Sequence, residues 1–263
     1  MKNRLIALLL TLVIAVPVIA GAEDQKKTDP NQTQNTQYQN QAGTTETNNG
    51  DAAHEIGKST EVVQDFARMK EGPPKGLLDK AAAVVVIPNL MKAALVAGGK
   101  HGEGILTKRD ASGNWSEPVF INISGGSVGF QVGVSSTDLV LLLMRERDID
   151  QILDGEFTLG GEANVSAGPV GREGSAGTDV HFDAPIYSYS RSKGVFAGVS
   201  VDGSKLYLDK TENKKLYGDT FAPHAVIKMT PKAGTASAQL AQALNQLTGK
   251  QEASMGTSTS GSK

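Results

Sequence analysis

The chain of 263 residues contains no cysteine, and only 5% of its residues are aromatic. The lack of cysteine excludes disulfide bonds and zinc sites built from thiolates. Few aromatics beside 30 glycines favour turns, bulges and closely packed backbones over a helical bundle. We therefore expect a β-rich protein that folds without covalent crosslinks.

Residues 23–52 lack Val, Ile, Leu, Met and Phe altogether. Such a segment buries too little apolar surface to offset the entropy lost on ordering, which predicts a disordered polar tether. Residues 249–263 have a similar composition and are expected to form a disordered tail. The pattern between them predicts one domain over residues 53–231 and a C-terminal helix over residues 232–248.

Residues 1–22 have the pattern of a signal peptide, with a basic start, an apolar run and a small-residue cleavage site. An uncleaved anchor is the alternative. Export predicts a periplasmic or secreted protein that can associate with a membrane. Removal of Lys2 and Arg4 leaves 24 basic and 28 acidic residues, a net charge of −4. This acidic balance argues against nucleic-acid binding.

The hydrophobic patterning predicts an α+β fold, with N-terminal helices, a C-terminal helix and a mostly antiparallel, sandwich-like or barrel-like β core. Ser59 or Thr60 is expected to cap the first helix, and "TDLVLLLM" reads as a strand buried on both faces. "GEGILTKRDASGNWSEPVFINIS" predicts a hairpin, "SVGFQVGVS" an alternating strand, and "DIDQILDG" a helix closed by Gly155. The expected apolar helix faces comprise Val62, Val63, Phe66 and Met69 near the N-terminus and Leu240, Leu244 and Leu247 near the C-terminus.

Three motifs suggest chemistry but have simpler structural interpretations. "GGSVG" matches the nucleophile motif around Ser127, yet the residues after it alternate like a strand, whereas the motif requires a helix. "GKHGEG" over Gly99–Gly104 resembles a phosphate loop but precedes a strand-like segment, so a glycine-rich turn near a sheet edge is expected. The four histidines lack metal-ligand spacing, and neither a metal nor another cofactor is predicted.

Two constrained turns present arginines to solvent. In "AGPVGRE", the glycines and proline hold Arg172 for an anion, or for a salt bridge with Glu173 or Glu162. In "YSYSRSKGVFAGVS", a Lys193-Gly194 turn places the cations Arg191 and Lys193 at a hairpin tip, and the small serines allow close packing. The predicted facing pairs are Ser192 with Val195, Arg191 with Phe196, Tyr189 with Gly198, and Tyr187 with Ser200.

Four long segments resemble the SYLF domain family in its bacterial form, and the likeness extends from about His54 to Ile227. They are "IPNLMKAALVAGGKHGEGILTKR", "WSEPVFINISGGSVGFQVGVSSTDLVLLLM", "FTLGGEANVSAGPVGRE" and "IYSYSRSKGVFAGVSVDGSKLYLDKTENKKLYG". The resemblance implies a non-enzymatic lipid-binding module, since eukaryotic members bind phosphoinositide membranes through basic residues and an amphipathic N-terminal helix. Because this chain has an export signal, the actin regulation of those members is not expected here.

The leading hypothesis is therefore an exported protein that binds anionic phospholipid through a local basic patch. Its predicted headgroup contacts are Arg172, Arg191 and Lys193, with a second cluster of Lys75, Lys80, Lys92 and Lys100. The alternatives are a structural or interaction protein that docks another envelope component and, more remotely, a serine hydrolase that uses Ser127.

Overall fold

The computed structural model describes residues 50–69, 72–94, 97–128, 133–169, 183–196 and 199–249. The predicted signal peptide, almost all of the tether, and the tail beyond Gly249 lie outside these residues. The described part is an α+β domain with a curled, mostly antiparallel nine-stranded sheet, as the sequence predicts. No described helix is long and apolar enough to cross a membrane.

The sheet has the strand order β5-β9-β3-β2-β1-β4-β7-β6, and β8 pairs with β7. Among the pairings of the described strands, the one between β6 and β7 alone is parallel. The strands are β1 (Ala83–Ala94), β2 (Ala97–Lys108), β3 (Val119–Val128), β4 (Gly133–Leu143), β5 (Glu156–Thr158), β6 (Val165–Ala167), β7 (Ile186–Ser192), β8 (Val195–Phe196) and β9 (Lys205–Leu208).

In the described part of the chain, six helices pack on the two faces of the sheet. They are α1 (residues 50–68), α2 (Lys75–Leu78), α3 (Glu146–Asp154), α4 (Lys210–Tyr217), α5 (Pro223–Val226) and α6 (Ala236–Thr248). Apolar residues of α1, α2 and α6 share one core, and those of α3 and α5 share the other. We call the corresponding faces of the sheet the α1 side and the α3 side.

Strand β4 shows how one sheet serves two cores. Leu139, Leu141 and Leu143 point to the α3 side, whereas Val140 and Leu142 point to the α1 side, and all five are fully buried. The prediction of a strand buried on both faces is confirmed. The alternating strand predicted over residues 127–135 is divided between the end of β3 and the start of β4, and residues 129–132 lie outside the described residues.

Helix α1 buries the predicted residues Val62, Val63 and Phe66 but starts earlier than expected. The predicted cap at Ser59 or Thr60 is wrong, because both residues lie inside the helix and are buried. The apolar stripe continues upstream through Ala52 and Ile56, so the helix extends with it. A mid-helix hydroxyl can bond the carbonyl one turn back, and Thr60 Oγ1 donates to Ile56 O at 2.8 Å.

The "GKHGEG" segment is not a turn near an edge, because it forms part of β2 between β1 and β3. Its glycines accommodate an irregularity in β1, where the register shifts after Ile87 and Asn89 has a φ of 54°. A Cβ on Gly104 would lie 2.0 Å from the Val86 carbonyl oxygen. Close approach of β1 therefore explains Gly102 and Gly104, where a Cβ would meet Ile87 or Val86, and the strand geometry is unlike a phosphate loop.

The predicted hairpins and the later helices are confirmed. Asp110 N donates to Asn114 O at 2.9 Å and closes the turn between β2 and β3. In the second hairpin, Ser192 pairs with Val195 and Arg191 pairs with Phe196 around the Lys193-Gly194 turn. Helix α3 ends at Gly155, and Leu240, Leu244 and Leu247 of α6 are buried.

Candidate functional site

Several cations predicted to bind an anion lie at one end of the sheet. Ala94 of β1 pairs with Gly98 of β2 and with Gly133 of β4, which defines what we call the Gly133 end. The β7–β8 turn belongs to the same end, since Ser192 Oγ donates to Ser136 O at 3.2 Å. This end therefore joins β1, β2, β4 and the β7–β8 hairpin.

Arg191 lies on the α1 side of this end and is bound by two carboxylates. Its Nη1 is 2.6 Å from Asp65 Oδ2 of α1, and its Nη2 donates to Asp138 Oδ2 of β4 at 2.7 Å. Asp138 Oδ1 also accepts the backbone N–H of Asn89 at 3.2 Å. Burial opposes the charge, but the hydrogen bonds to Asp138 and Asp65 outweigh it and raise the pKa of Arg191. The arginine thus ties α1 to the sheet.

Lys100 and Lys92 lie on the opposite, α3 side of the same end. They are direct cross-strand partners in β2 and β1. The Lys100 residue is only 6% exposed, and its Nζ donates to Ser200 O at 2.9 Å. Burial and the nearby charge of Lys92 lower the pKa of Lys100, while Asp202 opposes this shift. Lys100 therefore faces a charge of its own sign on Lys92, whereas Arg191 is bound by two charges of the opposite sign.

A buried hydroxyl lies beside the Lys100 side chain. A Cβ on Gly125, the β3 partner of Lys100, would be 3.0 Å from both Lys100 Cε and Ser204 Oγ. Ser204 is completely buried, and its Oγ has no hydrogen-bond partner among the described residues. Glycine at position 125 therefore leaves room for both the Lys100 side chain and the Ser204 hydroxyl.

A cleft of about 430 Å³ adjoins Lys100 through Ser200, which forms part of its wall. The serines of β7, predicted to allow close packing, line this cleft instead. Tyr189 closes one side, and its hydroxyl donates to Pro169 O at 2.9 Å. The lining residues are Val165, Ala167, Gly168, Ser188, Tyr189, Ser190, Phe196, Val199, Ser200, Val201 and Asp202.

The glycine over which Tyr189 lies differs from the one expected. A Cβ on Gly168 would be 2.0 Å from Tyr189 Cζ, so the tyrosine requires glycine at that position. The expected partner, Gly198, lies outside the described residues. Tyr187 pairs with Leu142 of β4 and Ser166 of β6, whereas Ser200, its expected partner, lies beyond the two-residue strand β8.

Comparison with known proteins places this architecture in a family. The family described as "Ysc84: Las17-binding protein actin regulator" matches residues 124–247. SH3 domain-containing YSC84-like protein 1 of Xenopus laevis is 34% identical over 168 residues, covering 61% of this chain and 50% of the relative. Protein YSC84 of Saccharomyces cerevisiae is 35% identical over 192 residues, covering 68% of this chain and 41% of the relative. The chain belongs to the SYLF (Ysc84) family. The resemblance seen in the sequence is thereby confirmed.

The chain matches only part of each SYLF relative. The human SH3 domain-containing YSC84-like protein 1 is 32% identical over 206 residues, which cover 75% of this chain and 60% of the relative. The match to the three relatives thus spans 41% to 60% of their lengths. The description of the family as a Las17-binding protein and actin regulator is consistent with the non-enzymatic role predicted for this chain.

The remaining predicted site residues of this SYLF chain do not converge on one patch. Lys193 is exposed in the β7–β8 turn at the Gly133 end. Lys75 and Lys80 are exposed in and just after α2, which packs on the α1 side, and Lys75 Nζ approaches the end of α6 at Gly249. Arg172 lies outside the described residues. Among the cations predicted to bind a lipid headgroup, the fold makes Lys92 and Lys100 direct cross-strand neighbours.

Ser127, the remote candidate nucleophile, lies in β3 and pairs with Gly98 of β2. The nucleophile motif requires a sharp turn from a strand into a helix, and β3 instead continues to Val128. The backbone around Ser127 therefore differs from that of a nucleophile elbow.

Proposed function

We propose that the chain is a non-enzymatic interaction protein that docks a protein partner. The observation that carries this proposal is the match of residues 124–247 to a family described as Las17-binding. LAS seventeen-binding protein 3 of Saccharomyces cerevisiae, which is 38% identical over 149 residues, is a relative whose name states such binding. The partner of this chain is proposed to be another component of the envelope, in line with the expected export.

The Gly133 end is the proposed docking surface. Of the four large apolar side chains exposed among the described residues, three lie there: Met91, Val134 and Val195, which are 46%, 68% and 67% exposed. Met91 pairs with Ser136, which accepts the Ser192 hydrogen bond, and Val195 pairs with Ser192. Exposed apolar residues grouped in this way are typical of interaction sites.

A crosslinking pull-down tests this proposal. The full chain would be incubated with an envelope extract from its source, and the recovered proteins would be quantified by mass spectrometry. We expect a partner that is retained by the wild type and lost when Met91, Val134 and Val195 are replaced by Ser, Thr and Thr. Met229→Ser is the matched control, because Met229 is 51% exposed but lies between α5 and α6. Equal recovery by the wild type and the triple variant would contradict the proposal.

Association with an anionic membrane is the second candidate. It is favoured by the exposed cation Lys193 beside the apolar Val195, because apolar side chains flanked by lysines suit a lipid interface. Each cation near an anionic surface adds about 1 kcal/mol, screened by salt. Co-sedimentation with phosphatidylglycerol-containing and pure phosphatidylcholine vesicles provides the test. Binding that is equal for both vesicles at low salt would exclude an anionic preference.

Export remains part of the proposal and rests on residues 1–22. Expression of the full chain in a bacterial host, followed by cell fractionation and N-terminal sequencing, tests it. Cleavage near Glu23 with recovery outside the cytoplasm is expected. Retention of the intact N-terminus in a soluble cytoplasmic fraction would contradict export.

A further inference from the structure

We propose that Lys92 and Lys100 bind a phosphate group on the α3 side of the Gly133 end. This inference does not depend on protein docking, and it would give the second candidate function a defined headgroup site. It rests on an uncompensated pair of charges, a buried hydroxyl without a partner, and an adjoining cleft.

The charge pair is the first observation. Like charges placed directly opposite each other on neighbouring strands destabilise a sheet. Among the described residues, neither Lys92 nor Lys100 has a carboxylate within salt-bridge distance. Asp202 acts on Lys100 from farther away, and a bound anion would add the missing negative charge between the two ammonium groups.

The second observation concerns hydrogen-bond donors. An ammonium group has three donors, and Lys100 Nζ uses one of them on Ser200 O. Ser204 Oγ is buried without a described partner next to the Lys100 side chain. Together they offer several donors to an acceptor-rich group, and buried donors without acceptors are costly.

The chemistry of these groups favours phosphate over other ligands. Two lysines repel metal cations, and the several oxygens of a phosphate can accept from both ammonium groups and from Ser204 at once. The adjoining cleft of about 430 Å³ provides room for an organic substituent on the phosphate. Asp202 lines that cleft, so the substituent would be neutral or cationic near this carboxylate.

The first test uses inorganic phosphate with the full chain. Thermal unfolding would be compared in phosphate and in chloride at equal ionic strength, and affinity would be measured by calorimetry. We expect phosphate to raise the unfolding temperature of the wild type. Lys100→Met should weaken phosphate binding about tenfold or more, because a charge-assisted hydrogen bond is lost. Ser204→Ala, a small change that keeps the backbone, should weaken it by a smaller factor.

Lys228→Met is the control, since Lys228 is exposed between α5 and α6 and is not among the residues proposed to contact phosphate or a membrane, so phosphate binding should be unchanged. The second arm uses phosphatidylcholine vesicles with and without phosphatidic acid. Lys100-dependent binding of free phosphate would support a soluble phosphate ligand, and Lys100-dependent binding of phosphatidic acid alone would support a lipid source. Absence of any Lys100-dependent response in both arms would overturn the site. Partner recovery in the pull-down is a separate readout, so the failure of one proposal leaves the other measurable.

Discussion

Arg191 and Lys100 lie at the same end of the sheet, on opposite faces, and their surroundings differ in sign. Arg191 has Asp65 and Asp138 at 2.6 and 2.7 Å, whereas Lys100 faces Lys92 and bonds one carbonyl. Arg191 has carboxylates at salt-bridge distance, whereas Lys100 has only the more distant Asp202. A cation that the sequence predicts to bind an anion is therefore available to a ligand only where the fold places no carboxylate within salt-bridge distance.

Replacing the compensated cation should have the largest effect. Arg191→Met removes the guanidinium from Asp138, whose side chain is only 18% exposed, and leaves Asp65 with the exposed Arg68 as its remaining cation. We expect the free energy of unfolding to fall by about 2–3 kcal/mol, because removing one member of a poorly solvated ion pair strands the other charges. Urea denaturation of the two proteins measures this change in the free energy of unfolding.

Arg68→Met is the control for that experiment. Arg68 pairs with the same Asp65, but its side chain is 70% exposed. Exposed pairs contribute little, so a loss below about 0.5 kcal/mol is expected. Similar losses from both variants would mean that Arg191 has no special role in holding α1.

Replacing Lys100 should raise the free energy of unfolding rather than lower it. Lys100→Met keeps roughly the length of the side chain and removes the repulsion from Lys92. The free energy of unfolding in phosphate-free buffer should therefore rise by up to about 1 kcal/mol. Chemical denaturation of the two proteins in chloride gives this difference. A clear loss of stability would show that the Lys100 charge is already compensated in the fold.

The difference in stability between Lys100→Met and the wild type should depend on pH. Burial and Lys92 hold the pKa of Lys100 below its ordinary value of 10.5. Between the folded and the unfolded pKa, the unfolded chain binds more protons, so wild-type stability rises with pH across that window. The advantage of Lys100→Met should therefore shrink as pH rises through the folded pKa towards 10.5. A constant difference up to that pH would contradict the shift.

Lys193 is the solvent-exposed reference for Arg191 and Lys100, and its replacement should change the free energy of unfolding least. Its φ is 50°, and asparagine tolerates this left-handed conformation better than lysine in a two-residue hairpin turn. Lys193→Asn should stabilise the protein by no more than about 0.5 kcal/mol. Lys228→Asn, at an exposed site without a positive φ, serves as the control in the same denaturation assay.

The sequence predicted those parts of the fold that depend on neighbouring residues. The Lys193-Gly194 turn sets its own register, and the five consecutive apolar residues of β4 require burial on both faces. The prediction of a turn over Gly99–Gly104 was wrong, because Gly102 and Gly104 make room for β1 at Ile87 and Val86. Local composition does not reveal such a contact.

The candidate site was predictable only in part. Lys92 and Lys100 were identified as cations, but their pairing depends on the register of β1 with β2. The two partners of Arg191 are 126 and 53 residues away in the chain, so its compensation could not be read from spacing. Ser204 carried no sequence signal, since its burial without a hydrogen-bond partner is visible only in the fold.

The most direct test of the difference between the two faces is an NMR titration of the lysine side chains. With isotope-labelled lysine, the Lys100 signal is assigned by its loss in Lys100→Met, and Lys193 provides the internal reference. The account predicts a pKa for Lys100 below 10.5 in chloride, and a rise of that pKa when phosphate is added. An ordinary pKa for Lys100 that does not respond to phosphate would contradict it.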